Sequence, residues 1–445
     1  MPNISREVWI YAHWEGLSDP LPLGLLVEHG GKSQNYTFQW EQSVLQDPYY
    51  RPLRIDPYLP LAQGIHHPNP RQSPFGFLLD SAPDRWGRSL IQHRWASQQK
   101  AGAPNDLDYL LAVHDHTRSG ALRFLTPETR QFQADADKPI PPLYDLEELN
   151  AACAAFASSP FGAAKDKRTR ELLDTLFDRG SSLGGARPKA TIMDSKGQLF
   201  IAKFAHPNDN YDKSRWEYLC QILATRAGLK TSYSDYKPLK GNHGVYLIKR
   251  FDRTPTGERL HYASAKTLTG LPFGADRDQG PSYLHIAQAI VANSNDPKTN
   301  LHEMWSRIVF SLAVSNNDDQ LRNHGFLLQP DLTWSLSPLF DVNPVPNAPR
   351  LKLLVDDQSA EINFAAARRV AQYFQLSREQ AEERLQEITR VVAQWRVIAD
   401  ALHIPKAEQQ HMSPAFRLAT DLHPLLPKKL SKRAQKRGNS PETKP

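Results

Sequence analysis

Cysteine is almost missing from this sequence, because Cys153 and Cys220 are the only two among 445 residues. Two widely separated cysteines cannot form a disulfide framework or a cysteine-rich zinc site. Long hydrophobic runs are missing too: no stretch of about 18 apolar residues occurs, so the sequence predicts no membrane-spanning helix. The first residues lack the apolar core of a secretion signal. These absences together predict a cytoplasmic protein.

The net charge of +6 is concentrated at the end of the chain. Residues 427–445 contain seven basic residues and one acidic residue, which leaves 47 basic and 47 acidic residues elsewhere. A neutral body argues against a basic nucleic-acid-binding surface. We predict that residues 426–445 form a basic disordered tail. Contact between this tail and nucleic acid is the alternative to a solvated terminus.

Residues 1–130 have the pattern of a small, strand-rich subdomain. Strands are predicted at 8–11, 36–40 and 121–124, and helices at 86–98 and 107–113. Three prolines, Pro139, Pro141 and Pro142, then predict a stiff linker over residues 135–142. A domain boundary is therefore expected near residues 130–145.

Residues 145–425 are predicted to form a second, larger domain. Its first half combines helices with two strand hairpins, and from residue 282 the pattern is mainly helical with one further hairpin. The expected elements are helices at 145–157, 166–178 and 216–227, a hairpin at 190–204, a second hairpin turning at 241–244, and a third at 325–336. The predicted fold class is α+β.

The segment Ser315–Phe326 contains the most informative pattern. Asp318 precedes Asn323 by five positions, the spacing found in the catalytic loop of protein kinases. Phosphoryl transfer needs a carboxylate that accepts the proton of the acceptor hydroxyl, and an amide oxygen that helps to bind magnesium. The alternative is that Asn316–Asp319 is only a turn or a helix cap.

The predicted hairpin after this loop brings a second carboxylate into reach. Strands at 325–328 and 333–336 return the chain to its starting point, so Asn323 and Asp341 can meet at the open end. Their hard oxygen ligands suit magnesium bound together with substrate phosphates. We therefore predict Asn323 and Asp341 as metal ligands.

Lys203 lies within an apolar strand, where an unpaired ammonium is costly to bury. A nucleotide phosphate would satisfy it, and so would Glu217 in the following predicted helix. The pair matches the strand-lysine and helix-glutamate ion pair of kinases. An edge-strand lysine that faces water remains the alternative.

Two weaker patterns flank this strand. A glycine-containing loop at 180–185 directly precedes the hairpin, as a loop covering phosphates should, although it matches no standard phosphate-binding motif. Arg250 and Phe251 end an apolar strand, where a bilobal kinase places the segment that contacts adenine.

Taken together, these segments resemble the HipA-type kinases in order and spacing. The resemblance rests on Ser182–Lys189, Lys203, Arg250–Arg253, Asn317–Asp319 with Asn323, and Phe340–Asp341, and in the first subdomain on Phe75–Leu79, Pro83–Arg88 and Arg118–Leu122. It extends from about residue 7 to 420. It implies a bilobal protein-kinase-like fold after the N-terminal subdomain, with a mainly helical C-terminal lobe.

The resemblance also implies a function and a set of site residues. It implies a serine/threonine protein kinase that uses ATP and Mg2+, acts as the toxin of a toxin–antitoxin pair, and phosphorylates a translation protein such as an aminoacyl-tRNA synthetase. The implied partner is a small helix-turn-helix antitoxin of HipB type, through which DNA would be contacted. Asp318 would be the catalytic base, and Ser182 or its neighbour Ser181 would be the autophosphorylated residue. The residues that would bind the nucleotide are Lys203, Glu217, Gly184, Gly185, Ala186, Lys189, Arg250 and Phe251.

One residue departs from the family pattern. Many relatives have histidine two positions after the catalytic aspartate, where this chain has Gln320. Glutamine can donate and accept hydrogen bonds but cannot become cationic.

Two other functions stay open on sequence grounds: an inactive or weak kinase that serves as an antitoxin-bound corepressor on DNA, and a kinase for a small molecule or lipid.

Overall fold

The structure is a computed structural model that describes residues 5–30, 35–69, 73–100, 102–129, 131–132, 140, 142, 146–158, 171, 173, 176, 185, 187–241, 243–271 and 280–424. The strands are β1 (Arg6–Ala12), β2 (Leu21–His29), β3 (Asn35–Trp40), β4 (Leu122–Leu125), β5 (Lys189–Met193), β6 (Leu199–Lys203), β7 (Ser234–Lys237), β8 (Val245–Lys249), β9 (Tyr262–Ser264), β10 (Gly325–Leu328) and β11 (Trp334–Leu336). None of the helices in the described ranges has the length and apolar character needed to cross a bilayer.

The helices concentrate in the second half of the chain. They are α1 (Gln42–Gln46), α2 (Gly76–Leu79), α3 (Arg85–Ser97), α4 (Asp106–Ala112), α5 (Leu146–Ser158), α6 (Lys213–Arg226), α7 (Ala265–Thr269), α8 (Tyr283–Asn293), α9 (Pro297–Ala313), α10 (Phe364–Val370), α11 (Arg378–Val392), α12 (Trp395–Ala401), α13 (Lys406–Met412) and α14 (Arg417–Leu422). The α+β class, with a strand-rich N-terminal region and a helical C-terminal region, is confirmed.

The N-terminal region is built on an antiparallel sheet in the order β3-β2-β1-β4. Its strands alternate buried and exposed side chains, because one face packs on the core and the other meets water. Gly24 is required where β2 pairs with β3, since a Cβ there would lie 2.2 Å from the Gln39 carbonyl oxygen. The strands predicted at 8–11, 36–40 and 121–124 all belong to this sheet.

A second antiparallel sheet, in the order β5-β6-β8-β7, carries the predicted strand lysine. Helix α6 begins three residues before its predicted start because the Asp212 side chain accepts a hydrogen bond from the Arg215 backbone N–H and caps it. The third sheet has the order β11-β10-β9 and includes the predicted hairpin. Strand β9 extends that hairpin on its other side, so the hairpin is not exposed along both edges.

The N-terminal region and the rest of the chain share one continuous hydrophobic core, which includes Val8 at one end and Ala419 at the other. Trp86 and Leu90 of α3 instead pack in a second cluster, with α5 and the β5–β8 sheet. The predicted boundary near 130–145 stays a prediction. The predicted linker, apart from Ile140 and Pro142, most of the predicted helix at 166–178, and the predicted tail lie outside the described residues.

Buried arginines also join the two regions. Arg250 donates hydrogen bonds to the carbonyl oxygens of Thr117 (2.6 Å) and Arg118 (3.0 Å). Asp252 accepts from Arg250 Nη2 at 2.6 Å and from the Gly120 backbone N–H at 2.9 Å. Burial acts to raise the pKa of Asp252, but Arg250 and Arg253 hold it below its usual value. This network satisfies the backbone of 117–120 and fixes the N-terminal region against the end of β8.

His261 lies in the core between Trp14 and Trp334, and neither ring nitrogen has a hydrogen-bond partner among the described residues. Burial lowers the pKa of His261 to about 3, from 6.5. The unfolded chain therefore binds a proton between pH 3 and 6.5 that the folded chain does not, and the folded state loses stability as pH falls below 6.5.

We expect this histidine to make the protein sensitive to mild acid. The free energy of unfolding should fall by about 2 kcal/mol between pH 6.5 and 5 through His261 alone. His261→Leu should have a correspondingly flatter pH dependence of the free energy of unfolding, because it has no imidazole to titrate. Urea unfolding of both proteins across this range tests the difference in slope. Equal slopes would show that folding does not lower the pKa of His261.

Candidate active site

A cleft that is open to solvent lies between the β5–β8 sheet, the third sheet and loop segments of the N-terminal region. The β5–β8 sheet contributes Ile201, Lys203 and Ile248 to its walls, and the third sheet and its flanking loops contribute Asn323, Phe340 and Asp341. The N-terminal region supplies the remaining side, from Leu79 to Asp84 together with Ser119. Most of the predicted nucleotide and metal residues that the structure describes therefore line one cavity.

Lys203 is the central charged group of this cleft. It lies at the end of β6, and its Nζ is 2.6 Å from both Glu217 Oε1 of α6 and Asp341 Oδ1. The lysine side chain is only 12% exposed, so pairing with carboxylates offsets the cost of its burial. Burial acts to lower the pKa of Lys203, but Asp341 and Glu217 outweigh it and hold the pKa above its usual value. The lysine is therefore cationic.

Asp341 reaches Lys203 through an unusual backbone conformation. Its φ is +59°, in the left-handed region that residues other than glycine seldom adopt. Such conformations cluster at functional sites, where the surrounding structure holds them. Burial acts to raise the pKa of Asp341, while the Lys203 ammonium holds it below its usual value. Asp341 is therefore an anionic carboxylate, 29% exposed, at the mouth of the cleft.

Asp318 and its neighbour Asp319 face in opposite directions. The Asp319 carboxylate is buried, and it accepts hydrogen bonds from Tyr283 Oη (2.5 Å) and Ser311 Oγ (3.1 Å). His324 Nε2 lies 2.9 Å from its other oxygen. Burial acts to raise the pKa of Asp319, but His324 and these hydrogen bonds keep it below its usual value. Asp319 thus holds the loop, while the Asp318 side chain is 60% exposed.

Asn323 connects this loop to the cleft. It ends a single helical turn, Leu321–Asn323, and its Nδ2 donates a hydrogen bond to the Asp318 carbonyl oxygen at 3.2 Å. This bond orients the amide, so that its oxygen remains available as a ligand. Asn323 and Asp341 line the same cavity, as the hairpin predicts.

Lys189 is paired with a carboxylate that sequence reasoning missed. Its Nζ lies 2.6 Å from Asp84 Oδ2, and both side chains are almost fully buried. Lys189 and Lys203 stand directly opposite each other on β5 and β6. Like charges at opposite strand positions repel, so each lysine requires its own carboxylate. Asp84 also caps α3 by accepting from the Gly87 backbone N–H at 2.6 Å.

The base of the predicted glycine loop contacts the same helix terminus. The Trp86 backbone N–H donates to the Gly185 carbonyl oxygen at 3.3 Å, and Trp86 Nε1 donates to the Lys189 carbonyl oxygen at 3.0 Å. Gly185 has a φ of +119°, a conformation that favours glycine. Ser181, Ser182 and Gly184 of the predicted loop, and the predicted nucleotide-binding residue Ala186, lie outside the described residues.

Arg250 and Phe251 differ in their placement. The Arg250 guanidinium is engaged by Asp252 and by backbone carbonyls of the N-terminal region, so it positions the chain between β8 and β9. The Phe251 ring lines the cleft, with its centroid 5.4 Å from that of Phe340. Of these two residues, Phe251 is therefore the one that presents an apolar side chain to a bound group.

Two further residues belong to the site although no motif pointed to them. Lys352 forms an ion pair with Asp318, and Asp80 accepts hydrogen bonds at 2.7 Å from both the backbone N–H and the hydroxyl of Ser264. Burial raises the pKa of Asp80. The sequence offered one signal for Asp84, its position directly before a predicted helix. That position indicates a helix cap and does not reveal the pairing with Lys189.

The donor set fits magnesium bound with phosphates rather than a metal enclosed by protein. Within the described ranges, no group of three or more histidine, cysteine, aspartate or glutamate side chains is placed to bind a metal ion. Asp341 and Asn323 contribute a carboxylate and an amide to the cleft lining, which also contains the carboxyl groups of Asp80, Asp84, Glu217 and Asp252. Magnesium commonly takes one or two such ligands and completes its shell with water and phosphate oxygens.

Two curated proteins, both named putative kinases, match part of the chain. One, from Haemophilus influenzae, is 28% identical over 110 residues, which cover 23% of this chain and 32% of that protein. The other, Y4dM of Sinorhizobium fredii, is 28% identical over 131 residues, which cover 29% of this chain and 30% of that protein. The chain thus matches about a third of the length of each relative.

A solved structure matches nearly the whole chain. It is HipA of Shewanella oneidensis, in a complex with HipB and operator DNA, with a TM-score of 0.66, 16% identity, and coverage of 93% of this chain and 97% of that chain. At this identity the likeness concerns the fold. The family model for the HipA-like C-terminal domain matches residues 181–395. The expected resemblance is confirmed: the chain has the fold of HipA, and residues 181–395 match the HipA-like C-terminal domain.

Proposed function

We propose that this protein is an ATP- and magnesium-dependent serine/threonine protein kinase that acts as a toxin. One observation carries the proposal: Lys203 contacts both Glu217 and Asp341 in a cleft that Asn323 also lines, and Asn323 donates a hydrogen bond to the backbone of Asp318, whose carboxylate is exposed. A cationic lysine, a metal-binding aspartate and asparagine, and an accessible base are the parts that phosphoryl transfer requires.

Each residue would have a separate task. Lys203 would bind the nucleotide phosphates, with Glu217 fixing its ammonium in place. Asn323 and Asp341 would hold magnesium, which neutralises charge on the phosphates when bound. Asp318 would orient the acceptor hydroxyl and accept its proton as the new oxygen–phosphorus bond forms and ADP leaves. Phe251 and Phe340 offer an apolar surface for the adenine ring.

The proposed acceptor and partners are based on the resemblance to HipA-type kinases and not on the geometry of the cleft. We propose a translation protein, such as an aminoacyl-tRNA synthetase, as the substrate, and autophosphorylation of Ser182 as a switch that turns the kinase off. The HipA of Shewanella oneidensis was solved with HipB and operator DNA. A HipB-type antitoxin is therefore the proposed partner, and DNA would be contacted through it.

The direct test uses the purified chain with γ-labelled ATP. Acceptors are the chain itself and the proteins of a bacterial lysate whose own kinases have been inactivated. We expect label on protein serine or threonine with MgCl2 and none with excess EDTA, because without a metal the Asp341 carboxylate repels the nucleotide phosphates, whose charge Lys203 alone does not neutralise. ATP binding without any transfer would instead favour the corepressor role. Label on lipid or small molecules alone would assign a different acceptor class.

A further inference from the structure

A lysine from outside the catalytic motif contacts the proposed base. Lys352 Nζ forms an ion pair with Asp318 Oδ1, although the two residues are 34 positions apart. Both side chains are more than half exposed, at 58% and 60%. Exposed pairs of this kind contribute little to stability. Its contribution to folding is therefore small, and what distinguishes it from other exposed pairs is its position at the proposed base.

The backbone around Lys352 keeps its side chain directed at the loop. Leu351 and Leu353 are buried on either side, so the intervening side chain must face outward. The Lys352 backbone N–H also donates to the carbonyl oxygen of Asn317, the residue before Asp318, at 3.1 Å. The lysine is thus attached to the catalytic loop by its main chain and by its ammonium.

Arg322 also lines the cleft, but the carboxylate that acts on it most strongly is Asp80, whereas Lys352 is paired with the Asp318 carboxylate. Gln320, two residues after Asp318, cannot carry a positive charge. Lys203 is already bound by Glu217 and Asp341, and Lys189 by Asp84. An accessible ammonium beside the base is therefore the group best placed to meet charge that moves onto the transferring phosphoryl group.

We propose that Lys352 is a further catalytic residue, whose ammonium moves from Asp318 to the γ-phosphoryl oxygens during transfer. The proposal rests on the kinase function proposed above. In the transferring step the acceptor oxygen forms a bond to the γ-phosphorus, the bond from that phosphorus to the β–γ bridging oxygen breaks, and Asp318 takes the hydroxyl proton. Lys352 neither gains nor loses a proton. Its departure frees the carboxylate to act as base.

Lys352→Met and Lys352→Arg test the proposal against a matched control. Lys406 of α13 forms a comparable exposed pair with Asp400 of α12, and neither residue lines the cleft, so Lys406→Met removes the same charge elsewhere. The readouts are ADP formation at saturating MgATP, with water and with the kinase-inactivated lysate as acceptors, and ATP affinity measured by direct binding. Thermal unfolding checks that each variant is folded.

Lys352→Met should lower the maximal rate on the order of 100-fold, with ATP affinity unchanged, because a donor that acts on the transition state is lost. Lys352→Arg should recover much of the rate, since guanidinium also binds phosphate. Lys406→Met should match the unaltered protein. If Lys352→Met kept the control rate, or raised only the KM for the acceptor, the proposal would be wrong while the kinase function stood. No ADP formation by the unaltered protein would overturn both.

Discussion

Asp318→Asn should lower the rate of phosphoryl transfer by about 100- to 10,000-fold while the protein stays folded. Asparagine has nearly the same shape as aspartate but cannot accept the proton of the acceptor hydroxyl. The buried Asp319, rather than Asp318, fixes the loop through Tyr283 and Ser311, so the substitution should not disturb its conformation. Label transfer from ATP and thermal unfolding measure the two effects.

Asp357→Asn provides the control for this experiment. Asp357 is exposed and lies outside the cleft lining, so its substitution changes the net charge equally without touching the site. We expect it to transfer phosphate at the rate of the unaltered protein. Transfer by Asp318→Asn at a similar rate would remove Asp318 from the catalytic role.

The second large effect is expected at the buried ion pair between the N-terminal region and β5. Lys189→Met should lower the free energy of unfolding by about 3–5 kcal/mol, since it leaves the Asp84 carboxylate buried without its partner. Burial already raises the pKa of Asp84, and Lys189 is the main opposing influence. Denaturant unfolding of the variant at pH 7 measures the loss.

A double variant separates the unpaired charge from lost packing. Asp84→Asn with Lys189→Met has no charge left to bury, and asparagine still caps α3 through the Gly87 N–H. We expect it to be substantially more stable than Lys189→Met alone. If the two were equally destabilised, the cost would arise from packing around residue 189 and not from the carboxylate.

Local patterns in the sequence were sufficient to predict most elements of the fold. The alternation in Tyr36–Trp40 and the turn residues of the hairpin at 325–336 indicate strands whose pairing the structure contains. The contact between Lys203 and Glu217 could also be anticipated, because a lysine in an apolar strand requires an acidic partner and a helix follows directly. These inferences depend on residues close together in the chain.

Contacts between distant segments could not be predicted in the same way. Lys189 and Asp84 are 105 positions apart, and each has a plausible local role, as a loop residue and as a helix cap. Arg250 occupies the position expected for adenine contact, yet its guanidinium binds carbonyls of residues 117 and 118. The catalytic, metal-binding and autophosphorylation roles themselves stay predictions.

The cleft is lined partly by the N-terminal region, so it extends beyond the residues that the family model matches. Residues 181–395 contain Lys189 and Lys203 but exclude Asp80, Asp84 and Ser119, which complete the cavity. A ligand bound there would contact both regions, so its binding energy would also oppose their separation. Ligand binding in the cleft would thus be thermodynamically coupled to the association of the two regions. Release of the ligand would therefore also weaken the association of the N-terminal region with the rest of the chain.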